Sequence, residues 1–90
     1  MVYEVILTEE SEKFLKKCDK FIKDRIIDKL EKLGENSKLG KPLTANLSGL
    51  WSLRIGDYRA VYQIKESELI VVVVRIGHRK NAYEFDGKKG

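Results

Sequence analysis

The sequence predicts an α+β fold, with an N-terminal strand, a helical hairpin and then a three- to four-stranded antiparallel meander whose helices pack on one sheet face. The meander is predicted because apolar, β-branched runs meet at Gly56-Asp57 and again around residues 65–68. The hairpin is predicted because apolar residues recur at helical spacing between residues 14 and 33. No internal repeat is visible, so residues 1–90 are expected to form a single domain.

The first strand is predicted at residues 2–7, which contain enough β-branched and aromatic residues for a strand and end at Thr8. Either Thr8 or Ser11 can cap the helix that follows, because a hydroxyl at this position can accept a hydrogen bond from a free backbone amide. This first helix is short. Its apolar stripe consists of Phe14, Leu15 and Cys18.

A second helix is predicted from a cap at Asp19 to about Leu33, with Gly34 as a left-handed stop. Lysines and acidic residues, Lys29 among them, interleave along its outer face, which we interpret as a solvated surface with ion pairs at helical spacing. The predicted buried face consists of Phe21, Ile22, Ile26, Ile27, Leu30 and Leu33.

The remaining connections and strands follow from local composition. Residues 35–47 show no hydrophobic period and are predicted to form a surface connection in which Lys38 and Lys41 extend a basic rim. The unbroken apolar run at residues 69–74 predicts a central strand that is covered on both faces. Gly77 is expected to bend the chain after this run, which would leave Arg79 at the rim of the sheet.

One sheet face is expected to stay at least partly open, because the two helices need cover only the other. Side-chain alternation places Ser52 and Arg54 on one face of the hairpin and aligns Arg59 with the equivalent face of the next strand. Arg54 and Arg59 are therefore expected to share the open face near the turn. A salt bridge to an acid such as Asp57 is the structural alternative for Arg59.

Composition limits the class of protein. The net charge is +4, and the basic excess lies in the second half, where residues 49–90 hold eight basic and five acidic side chains. This excess is weak evidence for a polyanionic partner. One cysteine and one histidine exclude an internal disulfide and argue against a metal cluster, and no cofactor is predicted. No apolar run approaches the ~20 residues of a membrane span and no signal peptide is recognised, so a cytoplasmic location without membrane attachment is expected.

Several motifs in order carry a family resemblance. A G-D-Y-R tetrapeptide at residues 56–59 precedes a strand containing V-Y, and an apolar strand ends in G-H-R-K at residues 77–80 with Tyr83 shortly after. An L-x-G-L-W lead-in occupies residues 47–51. Together these motifs resemble the RelE/ParE superfamily of toxins, and most closely the RelE-type branch.

The resemblance implies a toxin that a cognate RelB-like antitoxin neutralises, with any oligomer being the toxin–antitoxin complex. In the RelE-type branch the toxin enters the ribosomal A site and cuts messenger RNA without a metal. The 2′-hydroxyl attacks the adjacent phosphate and leaves a 2′,3′-cyclic phosphate and a 5′-hydroxyl. Such a reaction needs a proton acceptor, cations for the growing phosphate charge and a proton donor for the leaving oxygen.

The resemblance also implies roles for individual residues. Arg59 corresponds to the arginine that contacts the scissile phosphate, Arg79 to a second active-site arginine and Tyr83 to a tyrosine that stacks on or orients the nucleotide. His78 is a candidate acid or base because its ordinary pKa lies near neutrality, although a polar turn residue is an equal interpretation.

The strand before the G-D-Y-R turn departs from that of the best-known bacterial RelE, which carries lysines there as base and phosphate ligand. This chain has Ser52 and Arg54 instead, and with Lys80 these residues are predicted to bind substrate. Since a guanidinium is a poor base, two alternatives stay open beside the nuclease. One is a ParE-like toxin that inhibits DNA gyrase without cutting RNA, and the other is a catalytically weak homologue that only binds its antitoxin.

Overall fold

The structure is a computed structural model and describes residues 2–78. Within that range one mixed sheet has the strand order β1-β5-β4-β3-β2, which confirms the predicted α+β class. Helices α1 (Glu9–Lys17) and α2 (Lys20–Glu31) pack on one face of it, and no helix in this range is long and apolar enough to cross a membrane. The strands are β1 (Glu4–Leu7), β2 (Lys41–Pro42), β3 (Trp51–Ile55), β4 (Tyr58–Lys65) and β5 (Ile70–His78), with 3₁₀ turns at Lys32–Gly34, Ala45–Leu47 and Glu66–Glu68.

Strand β1 begins at Glu4, two residues later than predicted. It pairs in parallel with β5 from Glu4 opposite Ile70, but the backbone amide of Tyr3 donates to the carbonyl of Gly34 at 2.7 Å. The chain before Glu4 is therefore held by the turn after α2 rather than by the sheet. Gly34 is not the predicted left-handed stop, because it lies in that 3₁₀ turn and does not adopt a positive φ. The chain approaches it closely instead, since an added Cβ would lie 3.0 Å from the Tyr3 carbonyl oxygen.

The predicted central strand, now β5, lies between β1 and β4, and β4 holds the middle position. The prediction that it is covered on both faces is also wrong. Val71 and Val73 are fully buried against the helices, whereas Val72 and Val74 on the other side are only half-buried. Gly77 does not bend the chain after this strand, since β5 continues through it to His78.

A β-bulge in β5 connects the sheet to the start of α1. Val61 pairs with Arg75 but Tyr62 pairs with Val73, so one extra residue lies between the two pairs. Two backbone carbonyls at the bulge accept hydrogen bonds from side chains at the start of α1. The Thr8 hydroxyl donates to the Val74 carbonyl at 2.9 Å, and the Ser11 hydroxyl donates to the Val73 carbonyl at 2.8 Å. Thr8 also accepts from the Ser11 amide at 3.2 Å and is therefore the cap of α1.

Helix α2 follows the prediction at its cap and on its outer face. The Asp19 carboxylate accepts from the Ile22 amide at 3.0 Å, and ion pairs at helical spacing join Lys20 to Asp24 and Lys32 to Asp28. Its inner face does not include Phe21, which is 72% exposed, because this residue lies in the first turn beside the β3–β4 hairpin rather than over the sheet.

The connection over residues 35–47 is more ordered than predicted. It contains β2, where Lys41 pairs with Ser52 of β3, and the 3₁₀ turn at Ala45–Leu47. The β3–β4 turn at Gly56-Asp57 agrees with the prediction, and Gly56 adopts a φ of +61° there. A non-glycine residue at this position would be strained.

Candidate functional site

Two arginines lie directly opposite each other across the β3–β4 hairpin. Arg54 pairs with Arg59, and their strand neighbours Leu53 and Ala60 are buried in the helix-side core, so both guanidinium groups belong to the other face. Like charges at directly opposed positions destabilise a sheet. An anion placed between them would remove that cost, and the planar fork of arginine suits a tetrahedral oxyanion.

The sequence predicts that this sheet face stays at least partly open, and in the structure part of it is covered. Ser52 and Val61 are 5% and 0% exposed, so the middle of the face is covered. Arg75 lies in the same row, pairs with Glu10 at the start of α1 and is mostly buried. At one end of this face the exposed Arg54 and the half-buried Arg59 present two opposed cations.

A groove of about 440 Å³ opens at this end, where β2 stops short along β3. Because β2 pairs only with Trp51 and Ser52, the rest of β3 has no strand on its β2 side in the described part of the chain. Among residues 2–78 the groove lining includes four cationic side chains and no acidic one. The lining consists of Lys29, Leu39, Gly40, Lys41, Pro42, Leu43, Ser52, Leu53, Arg54 and Arg59.

The four groove cations have no acidic partner in the described part of the chain. Within residues 2–78 none of the four forms an ion pair, and Arg59 does not form the salt bridge to Asp57 that was its structural alternative. In contrast, Lys38, close to Lys41 in the same connection, lies 3.6 Å from the Glu66 carboxylate. The charge of the groove is therefore available to an external anion.

A buried tyrosine anchors, through hydrogen bonds, the backbone of Ser37 and Gly40 at the rim of the groove. The Tyr62 hydroxyl donates to the Ser37 carbonyl at 2.9 Å and accepts from the Gly40 amide at 3.0 Å. Burial raises the pKa of Tyr62, so the hydroxyl keeps its proton for the Ser37 bond. Gly40 allows this approach, because an added Cβ would lie 2.3 Å from the Ser52 carbonyl oxygen.

His78 lies on the opposite sheet face from the groove arginines. It pairs with Tyr58, whereas Arg59 pairs with Gly77, and paired residues share a face. The His78 ring packs edge-on against Tyr58 at 5.9 Å, and Tyr58 in turn contacts Phe14 of α1. The register therefore does not bring His78 together with Arg54 and Arg59.

The other predicted site residues divide into two groups. Ser52 lies at the groove but is only 5% exposed, so little of it can meet a substrate. Arg79, Lys80 and Tyr83 lie outside the described residues.

Lys29 was missed as a groove residue. It lies three positions after the buried Ile26 and four before the buried Leu33, so helical spacing places it at the margin of the inner face. That spacing is the signal that would have found it.

The family described as ParE toxin of type II toxin–antitoxin system, parDE, matches residues 5–83, and the chain belongs to this family. This membership confirms the resemblance that the motifs carry. A putative RelE-like toxin protein from Escherichia coli is 30% identical over 84 residues, covering 91% of this chain and 88% of that protein.

Two mycobacterial comparisons agree with this membership. Toxin RelG from Mycobacterium tuberculosis is 41% identical over 49 residues, which span 54% of this chain and 56% of RelG. The match thus covers just over half of that relative. The crystal structure of the toxin–antitoxin complex RelBE2 from the same organism contains a chain that superposes with a TM-score of 0.81 at 31% identity, covering 88% of this chain and 93% of that one. The fold described above is therefore that of a RelE toxin structure.

Proposed function

We propose that this chain is the toxin of a type II toxin–antitoxin pair and acts as a ribosome-dependent endoribonuclease that cuts messenger RNA in the A site. The observation that carries the proposal is the opposed pair Arg54 and Arg59 at a groove whose lining within residues 2–78 includes no acidic side chain. Membership of the toxin family supports it.

The proposed reaction breaks one bond of the RNA backbone. The 2′-oxygen forms a bond to phosphorus, the bond from phosphorus to the 5′-oxygen breaks, and the proton lost from the 2′-hydroxyl is balanced by one gained at the 5′-oxygen. Negative charge grows on the phosphate oxygens in the transition state, and two arginines that face those oxygens stabilise it. Because arginine supplies the positive charge, this proposal requires no metal.

Arg59 is assigned to the scissile phosphate and Arg54 to the same phosphate from the neighbouring strand. His78 is not assigned the base, because the register places it on the other sheet face. Arg79, Lys80 and Tyr83 keep the roles that the family resemblance implies, as expectations for residues outside the described range.

Primer extension on messenger RNA in a purified translation system tests the proposal. The wild-type chain should create new 3′ ends at A-site positions only when ribosomes are present. Arg59→Ala should lower the cleavage rate by about 10²- to 10³-fold, as expected when one donor to a transition-state oxyanion is removed. Arg25→Ala, which removes an exposed arginine that does not line the groove, is the matched control and should cleave normally.

An inhibitor of DNA gyrase is the second candidate, and one observation favours it. Strand β3 presents Ser52 and Arg54 and contains no lysine, so the base expected of a RelE-type nuclease is absent from that strand. Intact messages together with inhibition of purified gyrase would select this function over the nuclease. Intact messages without gyrase inhibition would leave a homologue that only binds an antitoxin.

A RelB-like antitoxin is the proposed protein partner. The described surface exposes several large apolar side chains, and an apolar groove of about 200 Å³ runs between β1 and α2. Such surface suits an amphipathic segment of a partner. Co-expression with the product of an adjacent reading frame, followed by size-exclusion chromatography, should give one complex, and separate elution would contradict this assignment. The exposed side chains are Val2, Ile6, Phe21, Leu39 and Leu69.

A further inference from the structure

We infer that Lys29 and Lys41 form a second phosphate subsite in the groove, beside the one formed by Arg54 and Arg59. The inference deepens the proposed function and rests on it for the nature of the ligand, which is a single RNA strand. It assigns to α2 and β2 a part in holding the strand on one side of the scissile phosphate.

Sheet register sets the spacing of the two subsites. Lys41 pairs with Ser52, two residues along β3 from Arg54. Two residues of an antiparallel strand span about 6.8 Å. This distance is similar to the separation of consecutive phosphates in an extended RNA strand. A strand that places one phosphate at Arg54 and Arg59 therefore brings its neighbour to the row of Lys41.

The two lysines reach the groove from different elements. Lys41 is exposed on β2, whereas Lys29 is half-buried on α2 at the margin of the helix face. Neither forms an ion pair within residues 2–78, in contrast to Lys38, which pairs with Glu66. Two uncompensated ammonium groups at one concave surface favour an anion over a neutral ligand.

The hydrogen bond between Gly40 and Tyr62 fixes the backbone beside Lys41. Lys41 directly follows Gly40, whose amide donates to the buried Tyr62 hydroxyl. Its side chain therefore starts from a fixed backbone, which lowers the entropic cost of holding a phosphate. Leu39 and Leu43 line the groove on either side of it and offer apolar surface to a ribose or a base.

Equilibrium binding to RNA that cannot be cleaved tests the subsite without relying on catalysis. The probes are fluorescent 2′-O-methyl RNAs, which lack the attacking hydroxyl, and they comprise a dinucleotide with a single phosphate and a hexanucleotide. Fluorescence anisotropy over a series of NaCl concentrations gives the affinity and its salt slope. The variants are Lys29→Ala, Lys41→Ala, their combination and Arg59→Ala, with Lys38→Ala as the matched control, and thermal melting checks that each is folded.

Each lysine substitution should weaken hexanucleotide binding about 1.5- to 5-fold, as for an exposed ion pair. The double lysine variant should also have a salt slope lower by about 0.7, the value for one phosphate of a single strand, and each single substitution should remove part of that change. Dinucleotide binding should be unchanged by the lysine substitutions and weakened by Arg59→Ala, because the lysines contact only the second phosphate. Lys38→Ala should behave as the wild type with both probes.

If the double lysine variant binds the hexanucleotide with the affinity and salt slope of the wild type, the inference is overturned and the proposed function stands. A wild-type chain that binds neither RNA would also overturn the inference, whereas the ribosome-dependent activity is decided by the primer-extension experiment. Binding of an oligoglutamate peptide to the same variants is measured as a comparison with RNA. If the lysine substitutions weaken peptide binding but not RNA binding, the groove is a docking site for an acidic protein segment and the RNA subsite is refuted.

Discussion

At the scale of single residues, Tyr62 links the core of the sheet to the rim of the groove. Its ring is fully buried and stacks on Trp51 at 6.2 Å, while its hydroxyl bonds two backbone groups of the connection before β2. Strand alternation in the sequence places Tyr62, three residues after Arg59, on the opposite sheet face. It could not predict the hydroxyl bonds, because they join residues more than twenty positions apart.

Tyr62→Phe should lower the free energy of unfolding at pH 7 by about 1 to 3 kcal/mol, because it leaves the Gly40 amide and the Ser37 carbonyl without their partner. Urea unfolding measures the change. Tyr58→Phe is the control, since the Tyr58 hydroxyl forms no hydrogen bond within residues 2–78, and it should unfold as the wild type. Equal stability of the two variants would contradict the anchoring role.

The same residue predicts a pH dependence. Burial raises the pKa of Tyr62 above its ordinary value of 10.0, so above pH 10 the unfolded chain releases this proton while the folded chain keeps it. The unfolded state then binds fewer protons, and the free energy of unfolding falls as pH rises. The stability difference between the wild type and Tyr62→Phe should therefore be full below pH 10 and shrink above it.

At the scale of elements, α2 shows which part of a helical pattern the sequence could predict. The Asp19 cap and the inner positions Ile26 and Leu30 follow from local spacing and agree with the structure. Phe21 also fits the apolar stripe, yet it projects beyond the sheet beside the β3–β4 hairpin. Helical periodicity gives the direction of a side chain but not the point at which the neighbouring layer ends.

Ile26→Ala should lower the free energy of unfolding by about 2 to 5 kcal/mol, because Ile26 is 0% exposed and its removal leaves a cavity. Phe21→Ala, on the same helix, should change it by less than about 0.5 kcal/mol, since Phe21 is 72% exposed. Chemical denaturation of both variants gives the comparison. A loss of similar size at Phe21 would mean that this ring is packed in the folded chain in solution.

At the scale of the whole molecule, the sheet is completed by strands from the two ends of the described chain. The meander of β3, β4 and β5 follows sequence order, and its two turns were predictable from Gly56-Asp57 and residues 65–68. The parallel pairing of β1 with β5 could not be predicted, because it joins residues as distant in sequence as Glu4 and Ile70 and no local pattern indicates it. For the same reason the middle strand could not be recognised from its own apolar content.

The candidate site was predictable to the same limited extent. Arg54 and Arg59 follow from one tight turn, which fixes the register across it. Lys29 and Lys41 join them through the packing of α2 and the pairing of β2. Helical spacing places Lys29 at the margin of the inner face, but no local pattern shows that this margin lies at the same groove as β2.

Sheet order predicts how protection from hydrogen exchange is distributed. Amides of β4 and β5 should exchange slowest, because these strands are flanked on both sides and contain the fully buried Tyr62, Val71 and Val73. Amides of β2 should exchange fastest among the strands, because it is a two-residue edge strand. Exchange followed by NMR resolves the order. Protection in β2 equal to that in β4 would contradict this account.

The opposed arginines also connect occupancy of the groove with folding. In the free chain their mutual repulsion raises the free energy of the native state, and a bound polyanion relieves it. Any ligand that binds the native state alone shifts the folding equilibrium towards that state by mass action. The opposed charges that favour anion binding therefore lower the free energy of unfolding of the free protein, and a bound anion restores it.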